Sequence, residues 1–408
     1  MLSLVVYDVA IIGGGPCGAT AAADLAREGL RVVLIDKAGR IKPCGGAIPP
    51  RLIRDFEIPE ELVVARVRSA QIIAPSARTV DMPIDGEGYV AMVDREHFDE
   101  WLRQRAVREG AVRITGTFEK LVRDGKENVT VLYRTGQGEG EAVLGSVRAR
   151  YVIGADGALS AIARQELPEA GRVPYVFAYH EIVRSPPHVQ SANGHTGSPR
   201  FDANRCDIYY DGRVSPDFYA WVFPHGDTTS IGTGSANKGF SLRSAVGEVR
   251  RSTGLENCET IRREGAPIPL RPLKCWDNGR DCIVAGDAAG VVAPASGEGI
   301  YYAMASGRLA AESVSLAIAK GDSKCLALAR KRFMKAHRRV FFILGIMQYF
   351  WYRNDARRER FVSMCADKDV QRLTWQSYMN KELVHRNPAA HIKIFFKDLA
   401  HLAGMIRP

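Results

Sequence analysis

The sequence predicts an α/β chain, α+β overall. Three observations carry this: a strand–helix–strand unit at the N-terminus, a second glycine-rich α/β segment at 281–320, and β-rich sequence between them. In the first unit, residues 7–12 (YDVAII) read as a buried strand. Gly13, Gly15 and Gly18 follow in G-x-G-x-x-G spacing, then an alanine-rich helix at 17–27 and a second strand at 31–35 that ends on Asp36. In such a series the first glycine permits a tight turn and the second lets the backbone approach a pyrophosphate. The third lets the helix pack closely on the sheet, so that the helix N-terminal N–H groups face the phosphates. Asp36, eighteen residues beyond Gly18, is placed to take ribose hydroxyls. Strand, glycines, helix, strand and acid arrive in the order a dinucleotide site needs, which a set of ordinary turn glycines would not produce.

Composition bounds the rest. With 408 residues, 46% of them hydrophobic, the chain is long enough for two or three packed units, and disorder is not expected. Eight cysteines (17, 44, 206, 258, 275, 282, 325 and 365) include no C-x-x-C pair and nine histidines include no H-E-x-x-H, so no metal site and no disulfide framework is expected. No basic and apolar leader precedes the first strand, which sets a cytoplasmic location as the expectation. The net charge of +10 belongs to residues 331–408, where sixteen Lys and Arg stand against six Asp and Glu. Within that tail 340–352 (VFFILGIMQYFWY) is apolar and aromatic, with basic residues on both sides. Thirteen residues are too few to span a bilayer, which takes about 20 in a helix. They suit either an interfacial helix on an anionic membrane or a helix packed on the body of the protein, and 391–406 offers a second partly amphipathic stretch. No helix-turn-helix, RNA-binding or zinc-finger pattern accompanies the charge, so nucleic acid is not an expected partner.

Along the chain no repeat appears. Strands and helices alternate to about residue 125, β-rich sequence covers 69–93 and 175–268, and polar or proline-rich stretches at 185–199 and 267–272 read as loops. The VDREHFDEWL segment at 93–102 reads as a helix carrying Arg95. YVIGADG at 151–157 reads as a strand ending in Asp156 and Gly157. DCIVAGDAAG at 281–290 reads as another, ending in Gly286 and Asp287, and a turn through Gly297, Gly299 and Ile300 then leads into a helix from near residue 298. Each alone fits a strand-end turn with a helix-capping aspartate. Their company with the first glycine series favours a cofactor cradle.

This combination resembles the FAD-binding fold of the para-hydroxybenzoate hydroxylase superfamily. The resemblance implies a Rossmann-like FAD-binding domain (1–68, 94–170 and 270–330), an inserted, mostly antiparallel β substrate domain (69–93 and 171–269) and a helical basic C-terminal region (331–408). It further implies that Gly13, Gly15, Gly18 and Asp36 hold the ADP half of FAD, and that Arg95 reaches the phosphates. Asp287, beside Gly286, would bond the ribityl chain and diphosphate. Asp156 and Gly157 would support the cofactor, and the Gly297, Gly299 and Ile300 turn would aim a helix N-terminus at the flavin ring, where partial positive charge favours the anionic reduced form. With one full G-x-G-x-x-G in the chain, a nicotinamide donor must dock transiently or another donor must act.

Two further motifs narrow the chemistry. Pro43, Cys44, Gly45 and Gly46 form a PCGG turn. Pro216, Tyr219, Trp221, Phe223 and Pro224 form P-x-x-Y-x-W-x-F-P, with Gly232 in the following strand. On a strand, Tyr219, Trp221 and Phe223 share one face, an aromatic wall suited to an apolar substrate or to core packing. Both motifs after an FAD fingerprint resemble the geranylgeranyl reductase family over residues 5–352, most closely the branch that converts geranylgeranyl-(bacterio)chlorophyll to the phytyl form. That resemblance implies FAD as cofactor, NADPH as a transient donor and a geranylgeranylated tetrapyrrole or geranylgeranyl diphosphate as substrate. It implies Tyr219, Trp221, Phe223 and Pro224 as substrate-binding, Cys44, Tyr219 and Trp221 as catalytic, and Cys44, Gly45 and Gly46 as lying also at the cofactor. It also implies a peripheral place on a photosynthetic membrane. Three alternatives remain at this level: a flavin monooxygenase of the same fold, a prenyl reductase acting on another lipid or quinone tail, and a non-catalytic FAD-binding assembly factor.

Overall fold

The computed structural model describes residues 5–37, 41–125, 128–136, 143–187 and 200–381, so the stretch at 391–406 and most of the loop at 185–199 lie outside the described residues. Contacts divide the chain into two compact units. The first comprises Met1–Lys42, Arg95–Tyr175 and Pro267–Phe341; the second comprises Pro43–Asp94, Val176–Ala266 and Phe342–Pro408. This division differs from the expected separate region at 331–408, because residues up to Phe341 fall with the first unit and those beyond it with the second.

The first unit is built on a seven-stranded sheet. Strands β1 (Val6–Ile12), β2 (Val32–Asp36) and β8 (Val112–Thr115) lie parallel with the end of β11 (Val143–Gly154), and β17 (Cys282–Val284) extends the parallel part. An antiparallel extension adds β10 (Val129–Thr135) and β9 (Thr117–Val122). The inner strands are apolar on both faces, Val9 to Ile12 and Val32 to Ile35 being fully or almost fully buried, because helices cover them. These helices are α1 (Pro16–Arg27), α3 (Arg95–Arg108), α4 (Ala161–Glu166) and α6 (Ile300–Lys320). Small residues set the approach of α1 to α6: a Cβ on Gly307 would stand 2.3 Å from the Cys17 carbonyl oxygen, so a larger residue there would force the helices apart.

The second unit carries a seven-stranded sheet in the order β16 (Thr260–Pro269), β12 (Tyr175–Arg184), β15 (Thr228–Ser235), β14 (Ala220–His225), β13 (Arg205–Tyr209), β5 (Ser69–Ile73), β6 (Thr79–Pro83). Of its registered neighbours only β13 and β5 run parallel. A small sheet joins β3 (Ala47–Ile48), β7 (Val90–Val93) and β4 (Val63–Val67), with α2 (Pro50–Asp55) nearby in sequence. Within the β-rich stretch 175–268 lies a helix, α5 (Leu242–Thr253). Ser241 caps it by accepting the Ser244 N–H, and Gly254 ends it in the left-handed region, with φ of 73°. Ala245, Val246 and Val249 of α5 pack with Ala220, Val222 and Ile231 as one core cluster. Because strand side chains alternate, burying Ala220 and Val222 under α5 puts Trp221 and Phe223 on the opposite face of the sheet.

Helix α7 (Leu328–Trp351) is followed by α8 (Asp355–Met364) and α9 (Lys368–Asn380). Phe333, His337 and Phe341 of α7 meet Tyr302 edge-on, with ring centroids 5.0 to 6.2 Å apart. Further on, Tyr352 and Phe361 flank Tyr210, at 5.1 and 4.9 Å. Of the apolar run at 340–352, Phe341, Trp351 and Tyr352 are therefore core, while Phe342, Ile343, Ile346 and Tyr349 are exposed.

Candidate active site

The glycine series forms the turn expected of it. Gly13 has φ of 102°, and a Cβ there would stand 2.3 Å from the Ala155 carbonyl oxygen; one on Gly18 would stand 1.9 Å from the Gly13 carbonyl oxygen. Gly15 differs: no atom lies within 4 Å of where its Cβ would be. Gly15 is also the N-cap of α1, whose start has no side-chain cap and no acid in its first turn. Open space at an uncapped helix N-terminus is what a pyrophosphate needs, since it supplies the missing acceptors. The residues fit FAD at this point.

Asp36 accepts the Gly14 N–H at 2.8 Å, and Arg103 holds both ends of that contact, reaching the Gly14 carbonyl oxygen at 3.3 Å and the Asp36 carboxylate at 3.4 Å. Glu100 braces Arg103 and Arg113. The hydrogen bond from Arg113, more than that from Arg103, holds its carboxyl down at about 2, against the opposing effect of burial. Arg95 is buried and forms a fork with Asp99, at 2.8 and 2.7 Å. Arg95, Asp99 and Arg103 stand four apart on α3 and so share one face of it.

Asp287 pairs with Lys42, a residue the motif reading passed over. A Cβ on Gly299, the N-cap of α6, would stand 3.6 Å from an Asp287 carboxylate oxygen, so this turn and Asp287 are adjacent. Gly286 has φ of 62° and lies against Cys17, whose thiol is pushed up to about 12 by burial first and then by the Asp287 charge. Cys17 therefore stays a protonated packing residue. Gly297 also has a positive φ, 63°, and Ile300 opens α6 as a buried residue. Asp156 serves the capping role: its carboxylate accepts the Ala161 and Ile162 N–H groups and the Ser160 hydroxyl at the start of α4, and burial raises its pKa. Gly157, with φ of 87°, completes that turn.

In the second unit the two remaining motifs meet. A Cβ on Gly45 would stand 2.9 Å from Cδ2 of Phe223 and 3.8 Å from Nε1 of Trp221. One on Gly46, with φ of 71°, would stand 2.5 Å from both Nε2 of His225 and the Val93 carbonyl oxygen. The PCGG turn thus needs its glycines to lie flat against β14. Cys44 accepts the Gly46 N–H on Sγ at 3.4 Å. Tyr219, just before β14, has its ring 5.9 Å from that of Trp221, which is 6.2 Å from that of Phe223, so the three rings are consecutive neighbours. Pro224 alternates to the other face and is buried. Below Trp221 lies Gly232, where a Cβ would come 2.2 Å from the indole. The sequence did not disclose His180, Ser230, Glu264 or His225 as neighbours of this face, because strand register alone assembles them. Among the described residues no cluster of His, Cys, Asp and Glu has the form of a metal site.

Comparison with known proteins fits this geometry. The family model for "Lycopene cyclase protein" matches residues 8–396. A geranylgeranyl diphosphate reductase of Rhodobacter capsulatus is 54% identical over 98% of this chain and 99% of its own. The chain belongs to the geranylgeranyl reductase family. A second member, a geranylgeranyl diphosphate reductase of Synechocystis, is 37% identical over 97% of this chain and 98% of its own. Among solved structures, a geranylgeranyl bacteriochlorophyll reductase-like protein of Thermoplasma acidophilum has a TM-score of 0.78 at 22% identity, covering 95% of this chain and 100% of its own. A flavin-dependent brominase has a TM-score of 0.72 at 19% identity, covering 97% and 99%. The fold of this family member is thus the one flavin-dependent enzymes use.

Proposed function

We propose that this protein is an FAD-dependent reductase that saturates isolated double bonds of a geranylgeranyl chain. It converts geranylgeranyl-(bacterio)chlorophyll, or geranylgeranyl diphosphate, to the phytyl form with NADPH as donor. The carrying observation is the packing of the PCGG turn onto the Trp221 and Phe223 face, in a chain 54% identical to a geranylgeranyl diphosphate reductase. Gly13, Gly15, Gly18 and Asp36, with Arg103, would hold the ADP half of FAD, and Asp287, Lys42 and the start of α6 the remainder. When bound, FAD supplies the hydride.

An isolated trisubstituted alkene has no carbonyl to take up negative charge, so positive character must develop at its tertiary carbon as a proton arrives at the other. Water would capture such a carbon, which calls for a dry wall. Tyr219 and Trp221 offer aromatic faces that stabilise positive charge without a nucleophile, and both are less than 10% exposed. Cys44 and Tyr219 are the proton sources the motif residues provide. Product mass separates this chemistry from its neighbours: reduction adds two hydrogens per bond, monooxygenation adds an oxygen, and cyclisation of the kind the family model is named for leaves mass unchanged. Offering the purified protein equal amounts of the free diphosphate and the pigment-bound chain, and comparing initial rates, decides between the two substrates.

A prenylated pigment sits at a membrane, and α7 offers a way to it. Lys335, Arg339, Phe342, Ile346 and Tyr349 alternate at spacings of four and three and are all exposed, Phe342 at 67% and Tyr349 at 74%. The outward face of α7 is thus basic in its first half and apolar in its second, opposite the buried Phe333, His337 and Phe341. This suits an anionic lipid surface. No helix among the described residues is long and apolar enough to cross a membrane.

A further inference from the structure

Across three neighbouring strands, His180, Gly232 and Trp221 lie in one row of the sheet, paired in register. Ser230, one pleat away on the same face of β15, stands 3.0 Å from Nδ1 of His180 and receives the Trp221 indole N–H at 3.2 Å. On the other side, Nε2 of His180 stands 3.0 Å from a carboxylate oxygen of Glu264. Ser230 is fully buried and His180 is 3% exposed. Glu264, when ionised, can only accept, so the imidazole donates to it from Nε2 and leaves Nδ1 as an acceptor. The Ser230 hydroxyl then donates to Nδ1 and accepts from the indole. His180 and Ser230 each have two partners of complementary kind, and Glu264 also pairs with Arg262 through its other oxygen at 2.6 Å, which together fixes tautomer and rotamers.

We infer that Glu264, His180 and Ser230 form a positioning relay. It holds the Trp221 ring flat over Gly232 and, by presenting a polarised oxygen to the indole N–H, makes the ring face more electron-rich toward a positively charged carbon. The inference rests on the proposed reduction of isolated alkenes, and it assigns these three residues to the stabilisation of charge rather than to core packing alone. Gly232 supports it independently. A Cβ there would stand 2.2 Å from the indole and 2.6 Å from the His180 Cβ, so only glycine lets the indole lie in this place beside His180. Hydrogen bonds in a buried chain reinforce one another, so the distant carboxylate strengthens the last contact through the imidazole. None of the three donates a proton to substrate in this scheme; the relay acts through Trp221.

The test uses the FAD-loaded protein with NADPH and geranylgeranyl diphosphate, under anaerobic conditions. Ser230→Ala should lower kcat by about threefold, a part of what the Trp221 cation–π contact carries, with little change in KM. Ser230→Thr, which keeps the hydroxyl, should recover most of the loss, and Glu264→Gln should give a smaller fall. The Trp221 indole proton, assigned by its absence from the spectrum of Trp221→Phe, should move upfield in nitrogen-15 NMR in the same order, while FAD content stays near wild type and the protein remains folded by circular dichroism. An unmoved indole resonance, or a full kcat in Ser230→Ala beside an active wild type, overturns the relay. A wild-type protein that binds FAD but leaves the chain unreduced overturns the functional reading, and the relay's assignment with it.

Discussion

Gly45 lies against Phe223 so closely that a Cβ on the glycine would stand 2.9 Å from the ring. This one contact joins two motifs far apart in the chain and makes a mutational prediction. Gly45→Ala must displace Phe223 or lift the PCGG turn, an overpacking that costs about 1–3 kcal/mol. Activity should fall at least about tenfold if that strain is felt in the transition state, while Gly247→Ala, on α5 where a Cβ meets only the tip of Arg251 at 4.0 Å, should leave turnover unchanged. Steady-state rates of the two variants check this.

Gly15 allows binding and folding to be separated. Its surroundings are open, so a larger side chain at that position meets no protein atom close by. Gly15→Val should therefore purify folded, with circular dichroism like the wild type, yet without bound FAD. Gly18→Val, whose Cβ would collide with the Gly13 carbonyl, should lose both cofactor and fold. Flavin absorbance of the purified variants and their melting curves distinguish the two outcomes.

His225 gives a pH dependence. Burial lowers its pKa below the ordinary 6.5, opposed in part by the hydrogen bond to the Phe223 carbonyl and by Asp94 and the Gly45 backbone, while His180 adds to the lowering. The folded state thus binds this proton less readily than the unfolded chain. Its contribution to stability is present above pH 6.5 and is lost as pH falls through the folded value. His225→Asn, which can still donate to the Phe223 carbonyl, should show a shallower decline of melting temperature and activity between about pH 6.5 and 5 than the wild type. Parallel declines in both proteins would remove His225 from the account.

For the tail, point changes are the sound experiment, because deletion of 331–408 would also remove Phe333, Phe341, Trp351, Tyr352 and Phe361, all of them buried. Phe342→Ser with Tyr349→Ser should weaken sedimentation with phosphatidylglycerol vesicles by about tenfold or more, from the apolar area withdrawn. Binding of free geranylgeranyl diphosphate should not change. Equal binding of the double variant and the wild type to vesicles would place the membrane contact elsewhere.

The strand, glycine turn and helix at the N-terminus were legible because their signals are local: glycine spacing, strand ends and the acid at 36 all fall within a few dozen residues. Helix α5 was equally local, with Ser241 and Gly254 at its ends and Ala245, Val246 and Val249 on one face, but the surrounding strands outweighed it. Arg103 shared a helical face with Arg95 and was passed over. Lys42, His180, Ser230 and Glu264 carry no pattern along the chain, since strand register or a closed turn brings each to its partner. The apolar tail run was ambiguous for a physical reason: one helix buries Phe333, His337 and Phe341 while exposing Phe342, Ile346 and Tyr349, so packing and interfacial readings each described half of its surface.

The central claim is reduction of isolated prenyl double bonds, and mass spectrometry of the pigment tests it most directly. Purified FAD-loaded protein is incubated anaerobically with NADPH and geranylgeranylated bacteriochlorophyll or chlorophyll. The account predicts stepwise gains of two, four and six hydrogens on the prenyl chain. A pigment left unchanged while the flavin is reduced, or one that gains an oxygen once air is admitted, would contradict it.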